Sequence, residues 1–209
     1  MGEYLPLFLE FSCKKVVIFG GGAVGERKAK YFLPAEVVVV SPGFTECLDA
    51  MGADGIVRLE RRAVREEDVG GLIEGAFLVV AATGNKRLND AIARAAESAG
   101  ILANNATGES SAIVPSLLKR GDVMVAVSTG GRSPALSRYL RLKLEAALGG
   151  DLERMAKLQE RVREQLKKTI EDQKGREEVL RTILDDSDVW EALKEEDKAF
   201  ELAMRHARP

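Results

Sequence analysis

Lys14-Lys15-Val16-Val17-Ile18-Phe19-Gly20-Gly21-Gly22-Ala23-Val24-Gly25-Glu26-Arg27-Lys28 joins four consecutive apolar residues to glycines in G-x-G-x-x-G spacing, and then to a helix-favouring run. Val16 to Phe19 reads as a buried strand. Gly20 permits a tight strand-to-helix turn, Gly22 lets the backbone approach a pyrophosphate without a Cβ in between, and Gly25 lets the helix pack on the strand. The unpaired N–H groups and positive dipole end of the helix then face phosphates. The order strand, glycines, helix is the context that gives this spacing its meaning. Gly20, Gly21, Gly22, Ala23, Val24 and Gly25 are therefore the first cofactor-binding candidates.

Outward from this stretch the alternation continues. The first helix spans roughly Ala23 to Leu33 and ends before Pro34. Glu36 to Ser41 is a β-branched run suited to a strand covered on both faces. Pro42-Gly43 ends it. The acidic residue that closes strand two in the usual NAD fingerprint is replaced by Ser41-Pro42, which would border the adenosine ribose. No arginine stands there to receive a 2′-phosphate, so the reading leans to NAD. Phe44 to Met51 forms a short helix, Ile56 to Glu60 a strand, Arg65 to Val69 a charged helical turn, and Ala76 to Ala82 another buried strand. Thr83 and Gly84 lie at the carboxyl end of that strand, where ligands collect in open α/β sheets. Leu88 to Ala99 is an Ala-rich helix capped by Gly100, and Ile101 to Asn104 is the next strand. This pattern predicts a doubly wound parallel sheet, Rossmann-like, with Asn104, a further cofactor-binding candidate, and Asn105 and Thr107 at the next strand end, where substrate would meet cofactor.

Beyond Asn105 the pattern changes. Ser111 to Pro115 reads as a strand. Ser116 to Arg120 and Val123 to Ser128 read as an antiparallel hairpin about Gly121-Asp122, because the spacing leaves no room for helical crossovers. Its exposed edges are covered most simply by dimerisation. Ser133 is the N-cap and Pro134 the first residue of the following helix. From Gly149 onward the chain reads as three helices, Asp151 to Ile170, Arg176 to Leu184 and Val189 to Arg205. The expected division is a nucleotide-binding region over 1–110, a dimerisation and substrate region over 111–148 and a helical region over 149–209. Leu5 to Phe11 is an apolar lead-in, either a strand edge or a plug against the sheet.

Composition narrows the function. The chain has 209 residues, 45% of them hydrophobic and 31% charged, with a formal net charge of -2. That balance gives no bulk attraction to nucleic acid or to an anionic membrane. No apolar run approaches the roughly 20 residues needed to span a bilayer. Met1 to Leu9 lacks a basic segment and a cleavage site, so a cytoplasmic protein is expected. Cys13 and Cys47 have no metal or redox spacing and read as apolar fillers. His206 is the only histidine. A catalytic role for it so near the C-terminus is not expected, nor is a histidine-based triad, a histidine-rich metal site or a resident metal.

Four blocks make the sequence similar to the precorrin-2 dehydrogenase/sirohydrochlorin ferrochelatase family. They are Leu5 to Phe8, Val17 to Lys28, Ala81-Ala82-Thr83 with Asn89 downstream, and Val125 to Ala135. The last is the most specific, since generic nucleotide-binding sheets do not continue that way. The resemblance covers the whole chain. It implies a homodimer that oxidises precorrin-2 to sirohydrochlorin with NAD; some members also insert ferrous iron. It places Thr107 where the family carries an aspartate, the favoured proton-handling residue, with a short deletion after it. A hydroxyl is no general base near neutral pH without activation. Three alternatives stand at this point: Glu109 takes the role with Asn105 nearby, hydride transfer needs little acid–base help, or activity is impaired. Gly84 likewise stands where an acidic residue is common.

A substrate with eight carboxylates calls for arginine and lysine. Lys119, Arg120, Arg132, Arg138 and Arg141 cluster after the nucleotide region. Ser128, Thr129 and Gly130 add hydrogen-bonding groups beside Arg132, while Arg138 and Arg141 read equally well as a solvated helix face. Without the aspartate, chelation ranks below dehydrogenation. The competing readings are a non-catalytic NAD or tetrapyrrole sensor or carrier, and a nucleotide-binding regulatory domain.

Overall fold

The computed structural model describes residues 4–207 and divides into two compact units, Met1–Val114 and Pro115–Pro209. The first three residues of the Met1 to Leu9 stretch lie outside the described residues.

The first unit is built on five parallel strands: β1 (Lys15–Phe19), β2 (Glu36–Ser41), β3 (Arg58–Arg61), β4 (Leu78–Ala81) and β5 (Leu102–Asn105), in the order β3-β2-β1-β4-β5. Every residue of β4 is buried, and so are Val16 to Phe19 and Val37 to Ser41, because helices cover both faces. The two-residue strand period divides β1 between two cores. Val16 and Ile18 pack with Ala29 of helix α1 (Ala23–Tyr31), with Phe32 at its C-cap, and with Leu48 and Met51 of α2 (Glu46–Ala53). Val17 and Phe19 pack with Val69 of α3 (Val69–Leu72) and with Ile92, Ala93 and Ala96 of α4 (Lys86–Ser98). The chain leaves β1 on opposite sides toward β2 and β4, so the crevice at the carboxyl ends of β1 and β4 is the topological switch point. The doubly wound sheet expected from the alternation is what forms.

Two expectations in this unit are corrected. Leu5 to Phe11 forms no strand, and only Phe11 acts as a plug, with its ring 5.3 Å from Phe32 and 5.4 Å from Phe77. Leu5, Leu7 and Phe8 are largely exposed. Ser111 to Pro115 is irregular rather than a strand. The Ser111 hydroxyl takes the Ala103 N–H that a ladder partner would have used, and Ala112 donates to the Ala103 carbonyl. A side chain thus competes with sheet pairing at this edge.

The second unit opens with the hairpin β6 (Ser116–Arg120) and β7 (Val123–Val127), paired antiparallel about Gly121-Asp122. Gly121 has φ +57°, the left-handed value a two-residue loop of this kind demands at its first position. Helix α5 (Pro134–Ala147) starts as its sequence dictates: the Ser133 hydroxyl accepts from the Leu136 N–H, and Pro134 fills the first turn. Four helices follow: α6 (Leu152–Thr169), α7 (Gln173–Leu184), α8 (Ser187–Ala192) and α9 (Glu196–Arg205). Their core is Met155, Leu158, Val162 and Leu166 of α6 against Ile183, Val189, Leu193, Ala199 and Ala203. The last expected helix is therefore two. Leu193 to Glu195 breaks it, and this turn inserts the Leu193 side chain into the core.

Asp186 caps α8 by accepting from the Asp188 and Val189 N–H groups, and its other oxygen lies 2.7 Å from His206 Nε2 at the end of α9. The His206 contact first, and the backbone donors after it, hold the Asp186 carboxyl below its usual value. A carboxylate with a depressed folded-state pKa stabilises above its unfolded pKa, about 4, and that contribution disappears as pH falls through the lower folded value. Asp186→Asn is expected to lower stability at neutral pH and to lessen the loss as pH falls below about 4, read by thermal unfolding at neutral and acidic pH.

Candidate functional site

The glycine loop is built by close approach. Gly20 has φ +117°, and a Cβ there would fall on the Ala82 carbonyl at the end of β4. A Cβ on Gly25 would overlap the Gly20 carbonyl, and one on Gly21 would strike the Gly43 carbonyl and the Phe44 ring. A Cβ on Gly22, in contrast, meets nothing within 4 Å. The loop is packed on its inner side and open at the one glycine that would face a ligand. Gly22 is the N-cap of α1 and offers no side-chain acceptor, so no side chain claims the first-turn N–H groups of Ala23 and Val24. This geometry fits the pyrophosphate of a dinucleotide. Further along α1, burial first and the Arg27 charge second bring the Lys28 ammonium down to about 8.

The other first-unit candidates stand at neighbouring strand ends. Ser41 is buried at the end of β2, with Pro42 exposed beside it. The Thr45 N–H donates to the Gly21 carbonyl, tying the loop after β2 to the glycine loop. Parallel pairing brings Arg61 opposite Ser41, a cation that inspection of strand two alone misses. Arg61 is not loose: it lies 2.7 Å from Asp49 and 4.8 Å above the Phe44 ring.

At the ends of β4 and β5 a single network ties several candidates together. Asn89 on α4 is fully buried. Its Oδ1 accepts from the Thr83 N–H (3.0 Å) and hydroxyl (2.6 Å), and its Nδ2 donates to the Thr83 carbonyl (3.0 Å) and to Thr107 Oγ1 (3.1 Å). Asn105 Oδ1 accepts from the Thr107 N–H (2.9 Å) and hydroxyl (3.1 Å), and Asn105 Nδ2 donates to Asp90 Oδ1 (2.9 Å). Thr107 and Glu109 are exposed, as is Gly84. Asn104, on the opposite face of β5, is turned inward: its Nδ2 donates to the Ala112 carbonyl, and its Oδ1 is closed off with no partner among the described residues. That placement gives it a structural contact at the sheet edge. Asn89 and Asp90 were not singled out as site residues, although a signal existed. Asn89 occupies the buried stripe of α4 with Ile92, Ala93 and Ala96, at spacings where an apolar residue is expected.

In the second unit, Gly130 (φ +64°) and Gly131 (φ +80°) make consecutive left-handed turns between β7 and α5. The Ser128 hydroxyl accepts from the Gly130 N–H. The Thr129 hydroxyl accepts from the Ser133 N–H (2.9 Å) and lies 3.2 Å from the Ser137 hydroxyl. Both hydroxyls thus shape this turn. Arg132 and Lys119 are exposed. Arg120 and Arg141 share Glu145, at 3.0 Å and 2.5 Å, so much of their charge is spent within the unit. Among the described residues no group of three or more His, Cys, Asp and Glu side chains is placed to hold a metal, and no helix is long and apolar enough to cross a membrane.

A parallel sheet with an open glycine at its switch point and a polar network at the adjacent strand ends defines the dinucleotide-binding class of fold. An NAD(P)-binding family model matches residues 7–116, and a sirohaem biosynthesis protein central-domain model matches residues 120–147. The precorrin-2 dehydrogenase of Methanosarcina barkeri is 40% identical over 206 residues, 96% of this chain and 92% of that protein. Siroheme synthase 1 of Aeromonas salmonicida is 36% identical over 94% of this chain, which spans only 42% of that relative's length. The solved structure of SirC, precorrin-2 dehydrogenase, shares the fold with a TM-score of 0.76 at 23% identity, covering 97% of this chain and all of the other. The chain belongs to the precorrin-2 dehydrogenase family.

Proposed function

We propose that this protein oxidises precorrin-2 to sirohydrochlorin with NAD. Two hydrogens leave the substrate, one as hydride and one as a proton. When bound, the nicotinamide supplies the hydride acceptor, and the chain's own residues bind, orient and exclude. The observation that carries the reading is the open Gly22 position on a tightly packed loop, beside the Thr83–Asn89–Thr107 network. NAD is preferred to NADP because Arg61, the cation nearest Ser41 in register, is already neutralised by Asp49.

The site residues take these roles. Gly20 to Gly25 seat the pyrophosphate, Ser41 and Pro42 border the ribose, and Thr83 and Gly84 line the nicotinamide side. Asn105, Thr107 and Glu109 stand where substrate meets cofactor, while Asn104, turned inward to the Ala112 carbonyl, holds the sheet edge. Ser128, Thr129, Gly130, Arg132 and Lys119 take substrate carboxylates, with a smaller share for Arg120. Region 111–148 serves as the dimer contact: Met124, Leu136, Tyr139, Leu140 and Leu142 are between 38% and 54% exposed, and a second copy would cover such a surface. Ferrous iron would act as a second substrate, taken up by the tetrapyrrole nitrogens.

The test is anaerobic absorbance of the protein with precorrin-2, with and without NAD. NAD-dependent appearance of the sirohydrochlorin spectrum is expected. Binding of both ligands without that spectrum would favour a carrier or sensor. Adding ferrous iron after completion tests chelation.

A further inference from the structure

The geometry points to Asp90 as the positioning residue that makes the Thr107 hydroxyl an acceptor for a substrate N–H. This rests on the proposed oxidation of a tetrapyrrole. Hydrogen-bond polarity runs along a fixed chain of side chains from Asp90 to Thr107. An ionised carboxylate only accepts, so the Asn105 amide must turn its Nδ2 toward Asp90 Oδ1, 2.9 Å away. The Asn105 Oδ1 then faces the Thr107 N–H and hydroxyl, so the amide is fixed from both ends, by the carboxylate and by the backbone N–H. Asn89 is fixed in the same way from its other side. Its Oδ1 must face the Thr83 N–H, which leaves Nδ2 facing Thr107 Oγ1. Thr107 therefore meets a donor at Asn89 and an acceptor at Asn105. Its single hydroxyl proton goes inward to Asn105, and what remains for a ligand is a lone pair.

Asp90 is held for this task. Lys86 lies 2.7 Å from its other oxygen, and the Lys86 and Asn105 contacts together keep it ionised. The chain passes directly over the pair: a Cβ on Gly108 would come within 2.6 Å of Asp90 Oδ1 and 2.7 Å of Asn105 Nδ2, so a larger residue there would push on both side chains. The Asn105 N–H and carbonyl are pinned to the Ser110 hydroxyl at 2.8 Å and 3.2 Å, which holds the loop in place.

The chemistry that needs an acceptor here is specific. As hydride leaves a carbon of the tetrapyrrole, the ring system is left one positive charge richer, and its N–H groups become more acidic. An acceptor aimed at one N–H stabilises that charge, and the proton then departs to solvent. Thr107 accepts a hydrogen bond but takes no proton from the substrate, so its own high pKa is no obstacle. The polarity of the chain places an exposed lone pair where a carboxylate would otherwise be required.

The test compares wild type, Asp90→Asn, Thr107→Asp and the double variant. With Asn at position 90 the Asn105 amide loses the charged one of its two orienting partners, and the Thr107 N–H alone remains to hold it. The kcat for sirohydrochlorin formation is expected to fall about tenfold to a hundredfold, with KM for NAD unchanged. Sirohydrochlorin affinity without NAD, read by absorbance titration, is expected to fall with it. Adding Thr107→Asp to Asp90→Asn moves the acceptor to the substrate end, and the Asn105 amide is then free to turn its Nδ2 toward it. Recovery of kcat in the double variant is expected while Thr107→Asp alone gains nothing over wild type, a pairing that a merely structural Asp90 would not give. Gly108→Ala, which crowds the pair without removing the carboxylate, is expected to lower kcat in the same way. Asp90→Asn turning over within twofold of wild type overturns the proposal, and so does a loss that the double variant does not recover. Absence of turnover in wild type would instead refute the proposed reaction itself.

Discussion

Gly22→Asp is expected to abolish binding of the nicotinamide dinucleotide while leaving the fold intact or slightly firmer. A Cβ at Gly22 meets nothing within 4 Å, so the new side chain has room. A carboxylate at the start of α1 interacts favourably with the helix dipole, by about 0.3–1 kcal/mol. The same charge lies where the pyrophosphate must sit. Two like charges near 4 Å apart at the protein surface repel by about 4 kcal/mol, on the order of a thousandfold in Kd. Gly25→Ala is the opposite case. Its methyl would overlap the Gly20 carbonyl, a backbone atom that cannot step aside. The expected loss is about 1–3 kcal/mol of stability, with binding lost because the turn itself is displaced. Calorimetric titration with NAD and thermal unfolding of both variants separate the two. Unchanged affinity in Gly22→Asp would remove the cofactor from this loop.

Asn89→Leu is expected to be the most damaging substitution at the ends of β4 and β5. Asn89 is fully buried, and it satisfies both the N–H and the carbonyl of Thr83 while holding Thr107. Leucine fills a similar volume but leaves those backbone groups unmet, at about 1–3 kcal/mol for each one that water cannot reach. A total near 3 kcal/mol, or roughly 10 °C in Tm, is expected from thermal unfolding of the whole chain. Turnover should fall further than stability does, because Thr83 and Thr107 lose their common anchor. A variant with Tm lowered by less than about 2 °C would show that the network carries little of the fold's stability.

The sheet was legible in the sequence because a doubly covered strand leaves an unmistakable trace. Glu36 to Ser41 could hardly be anything but β2, and its predicted bounds are the observed ones. The Ser133 cap, the Pro134 start and the Gly121-Asp122 turn were equally legible, since each depends on a few adjacent residues. What escaped depends on groups distant in the chain. Ser111 to Pro115 has strand-like composition, but the Ser111 hydroxyl takes the ladder's donor. The break between α8 and α9 is set by Leu193 entering a core formed with α6. Asp90 and Asn105 are fifteen residues apart and meet only because β5 ends beside α4. Arg61 reaches Ser41 only through parallel pairing. Spacing along the chain carries no trace of such juxtapositions, so the glycine loop was readable and the network beside it was not.

The most direct measurement is isotopic. Precorrin-2 carrying deuterium at the carbon that loses hydrogen is incubated anaerobically with the protein and NAD, and the reduced nucleotide is examined by mass spectrometry. One deuterium in the reduced nucleotide for each sirohydrochlorin formed is the result predicted for a dehydrogenase that places substrate against nicotinamide. Sirohydrochlorin formed with no label in the nucleotide, or reduced nucleotide formed without sirohydrochlorin, would contradict it.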